Sequence, residues 1–175
     1  MASYYTYLIS SLPMLHFGMK PPFTKQGFLE TCSRLISGED VKELCMAADT
    51  LKIYKECRNK LYSRWAEFEI SLRNEIVRTI SARRHTEAEK FIRPGGYRDV
   101  YFTHLVLAAH RAIPVIEGEK IIDKARWDFL EEASIGHYFD LDFLISYALK
   151  LNILHRWEKI RSSEKQKLLD SVLAS

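Results

Sequence analysis

The chain has 175 residues and a formal net charge of +3, with 47% hydrophobic and 28% charged residues. This length is enough for one domain with a real core, and the composition is ordinary for a globular protein. The small positive excess is well short of what a dedicated nucleic-acid-binding domain carries. We predict a single domain over residues 1–175, with 86–98 as the place where it would subdivide.

The cysteines and the lack of targeting patterns indicate the compartment in which the protein is expected. Cys32, Cys45 and Cys57 occur in apolar helical patterns without any C-x-x-C spacing. Reduced, buried thiols in a cytosolic protein are therefore expected. The start of the chain has no basic segment followed by a long apolar one, so it does not predict a secretory signal. No apolar run reaches the length of about eighteen residues that predicts a membrane span.

The first fifty residues predict short helices. Residues 4–12 fit either a strand, from their alternating polarity, or a short helix. We favour the helix because nothing later in the chain supplies convincing strand partners. Thr24 is placed to cap a helix that ends near Gly38, and a further helix follows with an apolar stripe. That stripe is Val41, Leu44, Cys45 and Ala48.

The longest helical pattern runs from about Leu51 to Arg84. Its apolar residues recur about every 3.7 positions, close to the natural helical period. They are Tyr54, Cys57, Leu61, Trp65, Phe68, Leu72, Ile76 and Ile80. The opposite, solvent-facing side is predicted to hold Arg58, Lys60, Arg64, Glu67, Ser71, Asn74 and Arg78. A continuous helix of this length would span roughly 50 Å, so we expect one end to project from the domain.

A clear break, Arg93-Pro-Gly-Gly-Tyr97, separates this pattern from the helices that follow. Proline and paired glycines are unfavourable inside a helix. Asp99 is placed to cap the next helix and Pro114 to open another. Ser163 begins a sequence of capping-box form, which predicts a separate last helix.

The stretch Leu141–Trp157 predicts the central helix, since eleven of its seventeen residues are apolar. Gly136 is expected to have a positive φ at the end of the preceding helix, and Asp140 to cap the central one. Leu144, Ile145, Ala148 and Leu151 should be buried against the Trp65–Ile76 stripe. The predicted fold is all-α, a helical bundle with one long central helix and a buried C-terminal helix.

The patterns of catalytic and metal-binding proteins are missing from the sequence. His104 and His110 are six residues apart, and no Glu-x-x-His or His-x-x-x-His spacing brings histidine ligands to one helix face. P-loop, Gly-x-Gly-x-x-Gly and Gly-x-Ser-x-Gly motifs are also missing. We predict no enzyme activity, no metal and no cofactor.

The basic residues Arg83, Arg84 and His85, with Arg78 a turn earlier, are the best nucleic-acid candidate. A solvated helix end explains them equally, because cations complement the dipole at a helix C-terminus. Both interpretations stay open at this point.

Three segments together resemble a known group of proteins. They are SYYTYLISSLPML with its PPF continuation, WAEFEISLRNEIVR, and the whole run from Trp127 to Trp157. They are similar to a bacterial family of uncharacterised helical proteins encoded beside V/A-type ATPase subunits. That family in turn distantly resembles the C (or d) subunit, which caps the membrane rotor ring and seats the central stalk.

The resemblance implies a non-catalytic subunit or accessory protein of a V/A-type rotary ATPase, cytoplasmic and peripheral to the membrane through that complex. Its expected partners are ATPase subunits on the rotor-ring or central-stalk side. Our candidate partner-binding residues are Arg93 and Tyr97 at the Pro-Gly-Gly break and His137 and Tyr138 at the corner before the central helix, because binding residues concentrate on loops held by a rigid scaffold. The alternative function is a nucleic-acid-binding helical module that uses Arg78–His85.

Overall fold

A computed structural model describes residues 5–49 and 58–173, with side chains described through Ser163. The secondary structure of this part is seven α-helices and one 3₁₀ turn, without strands, so the all-α prediction is confirmed. The helices are α1 (Thr6–Ser11), α2 (Lys25–Ser33), α3 (Gly38–Ala48), α4 (Lys60–Arg84), α5 (Val100–Arg111), α6 (Val115–Ala133) and α7 (Leu141–Leu173), and the 3₁₀ turn is Ala88–Lys90. None of the described helices is long and apolar enough to cross a membrane.

The chain divides into two compact units. The terminal unit comprises Met1–Lys52 and Ser134–Ser175, and the middle unit comprises Ile53–Ala133. The expected point of subdivision, 86–98, lies inside the middle unit and not at either boundary. The number of independently folding domains stays a prediction.

In the terminal unit, α7 packs against α2 and α3. Leu144, Ile145, Ala148 and Leu151 are almost completely buried, as predicted. Their expected contact with the Trp65–Ile76 stripe, which belongs to the middle unit, stays a prediction. Within its own unit α7 has α2 and α3 as neighbours, while the Trp65–Ile76 face packs in the middle unit against Phe102 and Phe129.

Side-chain hydrogen bonds tie the N-terminal segments to α7. The Tyr147 hydroxyl donates to the carbonyl of Pro13 at 2.9 Å, and Asn152 donates to the carbonyl of Ala48 at 3.0 Å. Further along α7, Arg161 donates to the carbonyl of Gly18 at 3.0 Å. These bonds satisfy backbone oxygens of loops and helix ends that have no helical partner.

The joint before α7 has the predicted geometry. Gly136 has φ +88°, and the backbone N–H of His137 donates to the carbonyl of Ser134 at 3.0 Å. Asp140 caps α7, since its Oδ1 accepts the N–H of Phe143 at 3.1 Å. A positive φ at glycine and an aspartate cap are the usual chemistry of a sharp turn between helices.

The predicted separate helix after Ser163 is wrong. The backbone of α7 is helical without interruption for 33 residues, to Leu173. The Ser163 hydroxyl donates to the carbonyl of Lys159 at 2.9 Å, as a serine within a helix does, and does not act as a cap. The α7 helix is therefore about 50 Å long.

The predicted Leu51–Arg84 helix is also corrected at its start. Helix α4 begins at Lys60, where the Asn59 side chain accepts the N–H of Tyr62 at 2.8 Å as an N-cap. Residues 50–57, which include predicted stripe positions, lie outside the described part. With 25 residues, α4 is about 37 Å long. It ends at His85 in the left-handed conformation, φ 53°.

The two described cysteines differ in exposure. Cys32 is fully buried, and burial, followed by the effect of Cys45, raises the pKa of its thiol to about 12. Cys45 is exposed, which corrects its predicted place in the apolar stripe of α3. Leu44, Ala47 and Ala48 form the buried side of that helix instead. Both described thiols are free.

The core of the middle unit is a cluster of aromatic and aliphatic side chains from α4, α5 and α6. Its buried members are Phe68, Leu72, Phe102, Val106 and Ile122. Phe68 is central to it, with its ring centroid 4.4 Å from that of Phe129 and 5.4 Å from that of Phe102. Stacked and tilted aromatic pairs of this kind add specific geometry to hydrophobic burial.

Leu144→Ala should lower the free energy of unfolding by about 2–5 kcal/mol, because it removes a fully buried side chain from α7. Urea unfolding followed by circular dichroism measures this change. Leu35→Ala is the matched control, since Leu35 is 46% exposed, and should cost about 1 kcal/mol or less. Equal losses for the two variants would contradict the assigned core.

Candidate partner-binding surfaces

The loop Arg93–Tyr97, which we call the anchored loop, is held on α4 by two polar side chains. Asn74 donates to the carbonyl of Arg93 and accepts its N–H, both at 2.9 Å. Ser71 Oγ accepts the N–H of Tyr97 at 2.8 Å and donates to the carbonyl of Glu67 at 2.7 Å. The loop is thus fixed at both ends by hydrogen bonds to one helix.

This anchoring corrects the predicted solvent face of α4. Ser71 and Asn74 are only 2% and 4% exposed, although the helical pattern assigned both to the outer side. Their polar atoms are satisfied by the loop backbone, as burial of an amide or hydroxyl requires. Amphipathic periodicity does not detect a helix face that is covered by a polar loop.

The close approach of the loop depends on Gly96. It has φ +74°, and a Cβ at this position would lie 2.8 Å from Ser71 Oγ and 2.9 Å from the Ser71 backbone nitrogen. Its neighbour Gly95 also has a positive φ, +97°, but a Cβ there would meet only Ile70 Cδ1 at 3.8 Å. Position 96 therefore requires glycine for two reasons: its φ is positive, and there is no space for a Cβ.

Exposed apolar side chains occur along residues 91–101, which we call the contact stretch. They are Phe91, Tyr97, Val100 and Tyr101. The ring centroids of Tyr97 and Tyr101 lie 5.5 and 5.4 Å from that of the buried Phe102, so both rings rest on the core while half of each residue remains exposed. Supported aromatic rings lose little conformational entropy when a partner covers them.

Burial and nearby carboxylates favour the neutral form of these two phenols. Burial raises the pKa of Tyr97, and the charges of Asp99 and Glu67 raise it further. Burial likewise raises the pKa of Tyr101, with Asp128 adding to the effect. Both hydroxyls are hydrogen-bond donors and acceptors at neutral pH.

The predicted corner residues His137 and Tyr138 lie in the terminal unit, whereas Arg93 and Tyr97 lie in the middle unit. His137 Nδ1 is 2.6 Å from Asp140 Oδ2, so this ring is held by the residue that caps α7. Tyr138 is 64% exposed. Ile135 and Phe139 beside it are exposed as well, and the sequence did not single them out.

The basic residues at the end of α4 are joined by residues from α5. The Arg83 guanidinium contacts Nε2 of His110, one residue before Arg111 at the end of α5. Arg78 does not belong to this surface, because it is partly buried and pairs with Glu75 at 3.1 Å. The structure therefore assembles a basic surface from two helix C-termini, a placement that spacing along one helix could not predict.

A buried ion cluster links α4 to α6. Arg126 Nε lies 2.5 Å from Glu69 Oε1, and Nη1 lies 2.7 Å from Asp123 Oδ1. Burial lowers the pKa of Arg126, but the attraction and hydrogen bond of Glu69, aided by those of Asp123, outweigh it and raise the pKa overall. Because one guanidinium pairs with both buried carboxylates, we interpret the cluster as structural.

The described residues also form a hollow, and their arrangement can be compared with the requirements of a metal site. A shallow hollow of about 520 Å³ lies between α2 and α3 and includes Leu29, Val41 and Cys45 in its lining. Among the residues whose positions are described, no group of three His, Cys, Asp or Glu could hold a metal ion.

Comparison with known proteins gives one match. Residues 99–173, which include α5, α6 and α7, match the model of a family described as "Protein of unknown function (DUF2764)". No curated protein and no solved structure matches the chain.

Gly96→Ala should destabilise the anchored loop more than Gly95→Ala. Both substitutions place a Cβ on a residue with positive φ, which costs about 1–2 kcal/mol. Only Gly96→Ala also pushes a methyl group against the Ser71 backbone. The difference in unfolding free energy should be at least about 1 kcal/mol. Limited trypsin digestion should also cut faster after Arg98 in Gly96→Ala. Equal stability and equal digestion rates would show that the loop does not depend on this contact.

Proposed function

We propose that this chain is a non-catalytic subunit or accessory protein of a V/A-type rotary ATPase that acts by protein–protein contact. The association with the ATPase is supported by three segments that resemble the family encoded beside V/A-type ATPase subunits. They are residues 3–15 with their continuation at 21–23, residues 65–78 and residues 127–157. The expected partners are subunits on the rotor-ring or central-stalk side. The family matched by residues 99–173 is itself of unknown function and assigns no reaction.

The proposal of binding by protein–protein contact rests on one observation, namely that the contact stretch is exposed and rigidly supported. Tyr97 and Tyr101 rest on Phe102, and the backbone before them is fixed by Asn74 and Ser71. Tyrosine and arginine are enriched among residues that dominate binding energy at interfaces. A preformed loop also avoids most of the ordering cost of binding.

Nucleic-acid binding is the second candidate function. The contact of Arg83 with His110, which brings Arg111 close by, favours it because the positive surface becomes larger than the sequence indicated. The pairing of Arg78 with Glu75 removes one of the cations on which this alternative was based. The same experiment below tests both functions.

The tagged protein, isolated from its native cell, should recover V/A-type ATPase subunits. The double variant Tyr97→Ala, Tyr101→Ala should weaken this recovery, since losing an aromatic hot spot costs about 2 kcal/mol or more, roughly thirtyfold in affinity. Tyr7→Ala is the matched control, because Tyr7 is 80% exposed and lies in the terminal unit.

Two results would contradict parts of this proposal. Undiminished recovery of the ATPase by the double variant would exclude the contact stretch as the binding surface. Recovery of nucleic acid that dissociates as salt is raised, without ATPase subunits, would favour the second function, since phosphate contacts weaken steeply with salt.

A further inference from the structure

The corner between α5 and α6 carries two protruding aliphatic side chains. Ile113 is 92% exposed and Val115 is 80% exposed, on either side of Pro114. Behind the corner, α5 and α6 approach so closely at Gly118 that a Cβ there would lie 2.2 Å from the carbonyl oxygen of Ala109. The corner is thus the end of a tightly packed helical hairpin.

Basic residues lie next to this corner. The contact of Arg83 with His110 places the end of α4 beside the end of α5. Helix α5 ends at Arg111, three residues before Pro114. Arg83, Arg84 and Arg111 are exposed, and none of them forms an ion pair with a carboxylate among the described side chains. We call these three arginines with Ile113 and Val115 the basic–aliphatic tip.

Three acidic residues of the middle unit pair with cations other than these arginines. Glu75 pairs with Arg78, Glu87 with Lys90 at 2.7 Å, and Glu117 with Lys120 at 3.8 Å. None of these three pairs uses an arginine of the tip.

We infer that the basic–aliphatic tip binds the surface of an anionic lipid bilayer. Arginines attract acidic headgroups, and protruding aliphatic side chains gain free energy when they enter the boundary between headgroups and acyl chains. Binding of single-stranded nucleic acid uses phosphate contacts and the stacking of bases on aromatic side chains, to which an isoleucine and a valine contribute little. The aliphatic pair thus favours a membrane over a nucleic acid. This inference does not depend on the ATPase association.

Vesicle co-sedimentation of the purified full chain tests the inference. The probe is vesicles with roughly one-third phosphatidylglycerol in phosphatidylcholine, compared with pure phosphatidylcholine vesicles. The protein should sediment with the anionic vesicles only, and binding should fall when salt is raised to about 1 M, where the screening length shrinks to about 3 Å. Binding to both vesicle types alike, or to neither, would overturn the inference.

Substitutions separate the contribution of the arginines from that of the aliphatic side chains. Replacing Arg83, Arg84 and Arg111 by glutamine should weaken binding about fivefold for each residue. Ile113→Asp should weaken it at least about tenfold, whereas Ile113→Leu should leave it unchanged. Ile135→Asp is the matched control, since Ile135 is 73% exposed in the terminal unit. Thermal melting of each variant by circular dichroism checks that the fold is intact.

Two further outcomes would overturn the inference. A folded Ile113→Asp variant that binds anionic vesicles as tightly as the unaltered chain would contradict the aliphatic contact. A short DNA duplex or single-stranded RNA that displaces the protein from vesicles, and that binds Ile113→Asp undiminished, would identify the tip as a nucleic-acid surface. If Ile113→Asp fails to fold, the preference of the unaltered chain and of Ile113→Leu for anionic over neutral vesicles still tests whether the protein binds anionic bilayers.

Discussion

The hydrogen bonds from Asn74 and Ser71 to the anchored loop are the constraint on which the middle unit depends. The loop must travel back along α4 before α5 can begin, and these bonds fix its path. As a result α5 lies beside α4 with both chains running the same way, as shown by the Phe68–Phe102 contact and the Arg83–His110 contact. The same bonds place Tyr97 against the core and bring two basic helix ends together.

Local sequence signals predicted many features of the fold because their physics is short-range. The Thr24 and Asp99 caps, the positive φ of Gly136 and the cap at Asp140 each depend on residues within one turn. The apolar composition of α7 likewise predicted the burial of Leu144 and Leu151. The capping-box pattern at Ser163 failed because a good cap sequence does not end a helix that can continue.

Sequence reasoning was weaker wherever a contact joins distant segments. Ser71 and Asn74 fit a solvent face until a loop about twenty residues later covers them. Tyr101 and Phe102 are adjacent, and only packing decides that Phe102 is buried and Tyr101 exposed. The candidate residues Arg93, Tyr97 and Tyr138 are exposed, while the ring of His137 is tied to Asp140. Their role in binding a partner stays a prediction.

Hydrogen–deuterium exchange of this chain with and without purified V/A-type ATPase tests the central claim most directly, namely that a preformed loop presents the binding surface. Without the partner, the N–H of Tyr97 should already exchange slowly because Ser71 accepts it. On adding the complex, the predicted result is further protection concentrated in residues 91–101. Rapid exchange of the loop in the free protein, or no change in exchange anywhere on adding the ATPase, would contradict the account.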